Sequence, residues 1–221
     1  AATREMLREF CRGRGMTVEE VESVFNPWGG AIRAVAEAGK LVHLVQEEKA
    51  FRLAPPFEPM GEAAAWREIL RRYFTHCGPA TLRDAAYFLG LSQRELKRQM
   101  QDLDLREIPC GGQVYYDLGT SRSLPDIPAC LFLAGFDQLM LGYLKTESIF
   151  LAKEYIRGIF HLSGIVMAPI LLRGRVAGRW KQKNGRLTLT LFGHWTARDR
   201  KRVEQTAEKL WTVKQVVWEE N

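Results

Sequence analysis

Residues 78–118, GPATLRDAAYFLGLSQRELKRQMQDLDLREIPCGGQVYYDL, constrain the fold of this 221-residue chain more tightly than any other stretch. Thr81 and Asp84 have the spacing of a capping box, and Ser92 and Glu95 repeat it after a break at Gly90. Two short helices in quick succession are therefore expected. The segment after them alternates in polarity and turns at Gly111-Gly112; a two-residue Gly-Gly connection suits the positive φ values of a hairpin turn. A hairpin directly after a helix-turn-helix is a wing.

The second helix separates its faces. Leu96, Met100 and Leu103 fall at i, i+4 and i+7 and form a core stripe, while Arg94, Lys97, Arg98 and Gln101 share another face. Three cations and an amide on an outer face suit a DNA major groove, where Lys reaches phosphates and Arg or Gln reaches base edges. A solvated face and a protein-binding face produce the same pattern.

Charge elsewhere in the chain adds weight to a polyanion. The net charge is +6, yet residues 171–202 hold ten Lys or Arg against Asp199 alone, so that stretch carries +9 and the remainder −3. These cations lie mostly on strand-like sequence, which disfavours a lipid surface as the partner. No apolar run approaches the roughly 20 residues of a membrane-spanning helix, and no signal-peptide pattern opens the chain. The expected location is cytoplasmic. Cys11, Cys77, Cys110 and Cys130 are widely spaced without a C-x-x-C, and His43, His76, His161 and His194 show no metal-ligand spacing, so reduced thiols and no metal are expected. No phosphate-binding loop, dinucleotide fingerprint or nucleophile elbow occurs, and no cofactor is expected. The chain opens Ala1-Ala2 without an initiator methionine and runs straight into helix-like sequence, which points to a segment of a longer protein.

The N-terminal part repeats the same plan. A helix over 3–12 stops at Gly13-Arg14-Gly15, Thr17 and Glu20 cap a second that ends at Asn26-Pro27, and a third over 30–38 ends at Gly39. LVHLVQEEKAFRL (41–53) alternates around a turn near Glu47-Glu48, again like a wing. Thr17 to Thr81 is an offset of 64 and Leu41 to Arg106 an offset of 65, as tandem units would give. The helix over 30–38 carries only Arg33 and Glu37 as charges and is the poorer DNA reader. APPFEPM (54–60) is a Pro-rich connector. It leads to a helix over 63–78 with Trp66, Leu70 and Tyr73 or Phe74 on its buried side.

After a second linker, SRSLPDIP (121–128), CLFLAGFDQLMLGY (130–143) reads as buried strand bent at Gly135. Residues 165–192 read as consecutive antiparallel strands turning at Arg173-Gly174 and Asn184-Gly185. Leu187, Leu189 and Leu191 face one way, and Arg186, Thr188 and Thr190 the other. Thr196 and Asp199 cap a helix running to about Trp211, and VKQVVW adds a closing strand. The expected class is α+β: tandem winged helix-turn-helix domains at 1–60 and 61–120, then a small antiparallel β-barrel with a C-terminal helix at 121–221.

Strand alternation puts Arg175, Arg179, Lys181 and Lys183 on one face, opposite Val176 and Trp180, and Arg186 extends that face across the Asn-Gly turn. This strand is the best candidate for phosphate contact; a solvated edge strand guarded by lysines is the structural alternative. Asp137 is the conspicuous acid of an apolar segment. It is a candidate general base or orienting group, although an ion pair with Arg173 or Arg175 is the favoured reading, since a carboxylate near the core demands a partner.

PPFEPM, GPATLRDAAYFLGL, AGFDQLMLGYLKTESIF and GIVMAPILLRGRVAGRWKQK together resemble the bacterial winged-helix DNA-binding family that includes the alkylpurine and interstrand-crosslink DNA glycosylases. The resemblance covers nearly the whole chain and is sharpest in FDQLMLGY and LLRGRVAGRWK. It implies tandem winged helices and a small β-barrel wrapped as a C-shaped clamp around double-stranded DNA, in a DNA-repair role. In the family's glycosylases a Gln-apolar-Gln or Gln-apolar-Asp pair of the N-terminal winged helix positions water for N-glycosidic cleavage. That domain is expected upstream of Ala1, so no catalytic residue is assigned. Gln99-Met100-Gln101 matches by letters only, because Met100 belongs to the core stripe. The chain is thus expected to be a monomer gripping the backbone of duplex DNA. A non-catalytic winged-helix transcription regulator and a protein-interaction scaffold without a nucleic-acid role are the alternatives.

Overall fold

The computed structural model describes residues 1–47, 49–119 and 126–220, and its contacts divide into two units, Ala1–Met60 and Gly61–Asn221. The turn expected around Glu47-Glu48 and most of the linker expected over 121–128 lie outside the described residues.

The first unit contains β1 (Ala2–Thr3), α1 (Arg4–Gly13), α2 (Val18–Val24), α3 (Ala31–Glu37), β2 (Leu41–Leu44) and β3 (Ala50–Leu53). Its three strands are antiparallel in the order β1-β3-β2. The capping box expected at α2 is present: Thr17 Oγ1 accepts from the Glu20 amide at 3.2 Å and the Glu20 carboxylate accepts from the Thr17 amide at 2.8 Å. Val21, Phe25 and Ala50 are its buried apolar side chains among the described residues. The Arg4 and Arg8 guanidiniums lie 5.7 and 5.0 Å from the centre of the Phe25 ring, sealing this small core with their stems.

The second unit begins with α4 (Glu62–Cys77), β4 (Ala80–Thr81), α5 (Leu82–Leu89), α6 (Gln93–Met100), β5 (Arg106–Cys110) and β6 (Gln113–Asp117). Leu70, Tyr73 and Phe74 of α4 pack with Ala85 of α5 and with Leu96 and Met100 of α6. Gly90 closes α5 in the left-handed region at φ 67, which allows α6 to restart two residues later. β5 and β6 pair through the turn at Gly111-Gly112, whose φ values are 58 and 77. One expectation is corrected at α6. Ser92 Oγ accepts from the Glu95 amide at 3.1 Å, but the Glu95 carboxylate turns to Arg98 and Gln99, so only half of the second capping box forms.

The rest of this unit contains β7 (Cys130–Phe132), α7 (Gln138–Leu141), a 3₁₀ turn at Lys153–Tyr155, α8 (Ile156–Ile159), β8 (Pro169–Leu172), β9 (Arg175–Lys183), β10 (Arg186–Leu191), α9 (Ala197–Leu210) and β11 (Gln215–Glu220). The turns at Arg173-Gly174 and Asn184-Gly185 fall where they are expected. Arg173 and Asn184 adopt φ of 50 and 52 ahead of their glycines, the paired positive values of a tight hairpin.

The expected closed antiparallel barrel is corrected. The strands form an open five-stranded sheet in the order β11-β10-β9-β8-β7. β11 returns through α9 and pairs parallel to β10, from Arg186↔Gln215 to Leu191↔Glu220, as a strand-helix-strand crossover requires. The expected strand over 130–143 is also shortened: it runs over Cys130–Phe132, and Asp137 caps α7 by accepting from the Leu139 amide at 2.9 Å. An apolar run of this length does not distinguish strand from buried helix by periodicity.

The helical and sheet portions of this unit meet at Asp84. Its Oδ2 accepts from the Thr81 amide at 3.0 Å and the Thr81 hydroxyl at 2.7 Å, and its Oδ1 accepts from the Leu144 amide at 2.8 Å. Tyr73 Oη donates to the Gly142 carbonyl and Tyr143 Oη to the Cys77 carbonyl. Asp84→Ala removes the carboxylate half of the capping box and strands the Leu144 amide, so it should cost about 3 kcal/mol, whereas Thr81→Ala should cost about 1 kcal/mol. Urea unfolding of the two variants measures the difference, and equal losses would contradict the double role of Asp84.

Candidate nucleic-acid interface

The cationic strand β9 is not a uniform ribbon. Ile170 pairs with Gly178 but Leu171 pairs with Val176, which leaves Ala177 as an extra residue opposite β8. A bulge of this kind breaks the two-residue alternation. The surroundings show the consequence. Val176 packs with Leu171, Ile159 and Phe192 on one side of the sheet, and Trp180 packs with Leu189 and Trp211 on the other, although the two are four residues apart. The bulge is held by its own carbonyl, which accepts from Phe192 N at 2.9 Å and Trp195 Nε1 at 2.8 Å. Gly178 beside it has no room for a side chain, since a Cβ there would lie 2.5 Å from the Thr190 carbonyl oxygen.

This sorts the candidate cations. Arg179, Lys181 and Lys183 follow the bulge and share a face, and β10 pairs Thr190, Thr188 and Arg186 with them in that order. Arg175 precedes the bulge, pairs with Leu172, and belongs to the opposite face; its expected place beside the other three is corrected. Arg179 is half-buried and its Nη1 donates to the Gly158 carbonyl at 3.0 Å. Lys181, Lys183 and Arg186 are exposed and, with Thr188, line one shallow concavity. None of the four cations is in an ion pair among the described residues. Trp180 lies away from them, its Nε1 donating to the Leu133 carbonyl at 2.8 Å.

On α6 the core stripe is buried as expected, with Leu96 0% and Met100 9% exposed. Arg94, Lys97, Arg98 and Gln101 are all exposed, but they are not electrostatically equal. Arg98 forks onto Glu95 with Nε–Oε2 3.1 Å and Nη2–Oε1 2.7 Å. That hydrogen-bonded pairing holds the Glu95 carboxyl below the usual carboxylate range and the Arg98 guanidinium above its own. Arg94 and Lys97 have no ion-pair partner among the described residues. Gln99 Nε2 is also bonded to Glu95, at 2.8 Å, while Gln101 lies at the helix end; the Gln99-Met100-Gln101 triplet straddles the core stripe and does not converge.

Asp137 forms no ion pair with Arg173 or Arg175, which corrects that reading; its carboxylate serves α7. Arg173 instead binds Asp199, Nη1–Oδ1 2.7 Å. Asp199 also caps α9 through Thr196, whose hydroxyl donates to Oδ2 at 2.7 Å. The Arg173 and Thr196 hydrogen bonds together hold the Asp199 carboxyl down at about 2. Thr188 was legible in the same alternation as Arg186 yet offered no charge to draw attention to it. The bulge carries no signature in the sequence beyond Gly178. Among the described residues no cluster of three metal-ligating side chains occurs, and no helix is long and apolar enough to cross a membrane.

A family model described as "DNA glycosylase AlkZ-like" matches residues 1–213. An interstrand DNA cross-link repair glycosylase of Streptomyces sahachiroi is 24% identical over 190 residues, which cover 77% of this chain and 51% of that protein. The chain therefore spans about half the length of this curated relative. The solved structure of Streptomyces sahachiroi DNA glycosylase AlkZ aligns with a TM-score of 0.74 at 20% identity, covering 100% of this chain and 65% of that one. The mixed α+β fold is thus similar to that structure.

The Asp199 carboxyl is depressed on folding, so its stabilisation is present above its ordinary value of 3.8 and is lost as pH falls through about 2. Asp199→Asn should lower Tm at neutral pH, and the gap to the unaltered chain should close between these two values. A Tm series across acid pH measures it; a gap that stays constant would refute the assignment.

Proposed function

The chain belongs to the DNA glycosylase AlkZ-like family, and from that premise we propose that it binds double-stranded DNA through the phosphate backbone in DNA repair. The observation that carries the reading is the concavity of Lys181, Lys183, Arg186 and Thr188, where cations converge without a carboxylate to neutralise them. Such cations replace the small counterions condensed on DNA phosphates, and the released ions drive the association. Arg179 supports them from the base of the strand. Arg94, Lys97 and Gln101 on the outer face of α6 are the second contact, in the position of a recognition helix.

In the same reading, residues 1–60 and 61–120 are tandem winged helices, each a set of helices closed by a hairpin, and 121–221 is the sheet domain. The relative from Streptomyces sahachiroi is a cross-link repair glycosylase, which favours damaged duplex DNA as the substrate class. This assigns the grip on the duplex to the chain and routes no hydrolytic step through its residues.

Salt dependence tests the reading directly. Each phosphate contact contributes about −0.9 to the slope of log affinity against log salt, so replacing Lys181, Lys183 and Arg186 by Ala should flatten the slope by about 2.7. Fluorescence anisotropy of a labelled duplex over a salt series reads it, and an unchanged slope would sink the assignment. Glu95→Gln releases Arg98, so the slope should steepen by about 0.9; Arg98→Ala in the unaltered background should change it much less. Equal responses to the two substitutions would remove α6 from the interface.

A further inference from the structure

β7 ends the sheet, and its outer edge faces the flank of α9 across a groove of about 550 Å³. The ladder to β8 determines which groups line it. Ala129 O, the Leu131↔Leu171 pair and Leu133 N are directed to β8, with Arg173 N donating to Ala129 O at 2.9 Å and Leu133 N donating to Pro169 O at 3.0 Å. Alternation then turns the amide and carbonyl groups of Cys130 and Phe132 outward into the groove. Among the described residues nothing pairs with this strand edge. The facing wall is Arg202, Gln205, Thr206 and Lys209 of α9, and no carboxylate lines the groove among the described residues.

We propose that this groove binds an acidic, extended segment of a partner protein, which adds to β7 as a further strand. Main-chain groups at Cys130 and Phe132 supply the pairing that strand addition uses. Arg202 and Lys209 supply the selectivity. Seven residues separate them, about 10.5 Å along the helix, close to the length of three strand residues. Carboxylates at alternate positions of an extended chain lie about 6.7 or 13.4 Å apart, and the long side chains of Arg202 and Lys209 span the difference from about 10.5 Å. A nucleic acid would match the two cations but leave the amide and carbonyl groups of the strand edge without partners. The site lies on the opposite side of β8 from β9 in the strand order, so its failure leaves the DNA reading intact.

The probe is a fluorescein-labelled hexapeptide alternating Glu and Val, titrated into the whole chain by anisotropy. It should bind, while an alternating Lys and Val peptide should not. Arg202→Glu with Lys209→Glu should weaken the Glu-Val peptide about tenfold or more, with thermal unfolding as the check on folding. A version of the peptide with proline at its fourth position should weaken by about fivefold or more through the lost amide. Hydrogen exchange on the unaltered chain gives a readout free of any substitution: the amides of Cys130 and Phe132 should gain protection when the peptide is present. Absence of binding, equal binding of both charge types, or protection that spares these two amides would each overturn the proposal. So would a duplex oligonucleotide whose affinity collapses on the same Arg202 and Lys209 reversal while the peptide is unaffected.

Discussion

The carboxylate of Asp84 is the contact on which the second unit depends. It is a buried acid with no ion-pair partner among the described residues, a costly arrangement unless hydrogen bonds satisfy it. Thr81 donates to it twice and Leu144 once, so one side chain completes the capping box of α5 and anchors the chain that leads into the sheet. Two tyrosines complete the seam by donating to carbonyls across it. Burial pushes the Tyr143 phenol up to about 12, so it remains a donor at any physiological pH. α6 and β9 bear the two candidate DNA surfaces, and both belong to the unit joined by this seam.

Local rules made much of this legible. Capping boxes at Thr17, Thr81 and Thr196 formed as their spacing requires, because both partners lie within one helical turn, and Asp84 and Asp199 bind Leu144 and Arg173 with the carboxylate oxygen that the box leaves over. The turns at Gly111-Gly112, Arg173-Gly174 and Asn184-Gly185 followed from the same local logic. Glu95 shows where such logic stops. Its carboxylate can reach either the Ser92 amide or Arg98, and a forked charge-assisted pair is the stronger of the two. The bulge at Ala177, the parallel entry of β11 and the short helix after Asp137 depend on contacts distant in sequence. Trp195 and Phe192 bind the bulge carbonyl, and neither is encoded in the alternation of β9 itself.

The bulge matters for function because it decides which cations act together. A straight β9 would set Arg175 beside Arg179 and spread four charges along one face. With one residue inserted, Arg175 goes to the far side, and the face keeps Arg179, Lys181 and Lys183, with Arg186 across the turn. Two other cations of the 171–202 stretch are committed to the fold. Arg173 holds Asp199 at the start of α9, and Arg200 lies 5.2 Å from the centre of the Trp218 ring. The +9 of the sequence is therefore not one footprint but a divided set, part structural and part free.

The parallel register of β11 protects the free part. It sets Gln215 beside Arg186 and Val217 beside Thr188, and places Glu219 beside Thr190. The Glu219 carboxylate accepts from the Thr190 hydroxyl at 3.5 Å, within a strand of Arg179 but displaced along the sheet from Lys181 and Lys183. A slip of one residue would bring Trp218 and Val216 onto this face and take Glu219 and Val217 into the core, exchanging every side chain between solvent and interior. Burial of Trp218 against Trp195, whose rings meet at 5.7 Å, opposes that slip with the apolar area of two indoles. The same packing that closes the core thus fixes which residues flank the concavity. Its strand neighbours are the uncharged Gln215 and Val217, and the aromatic pair on the other face of the sheet holds the register that puts them there.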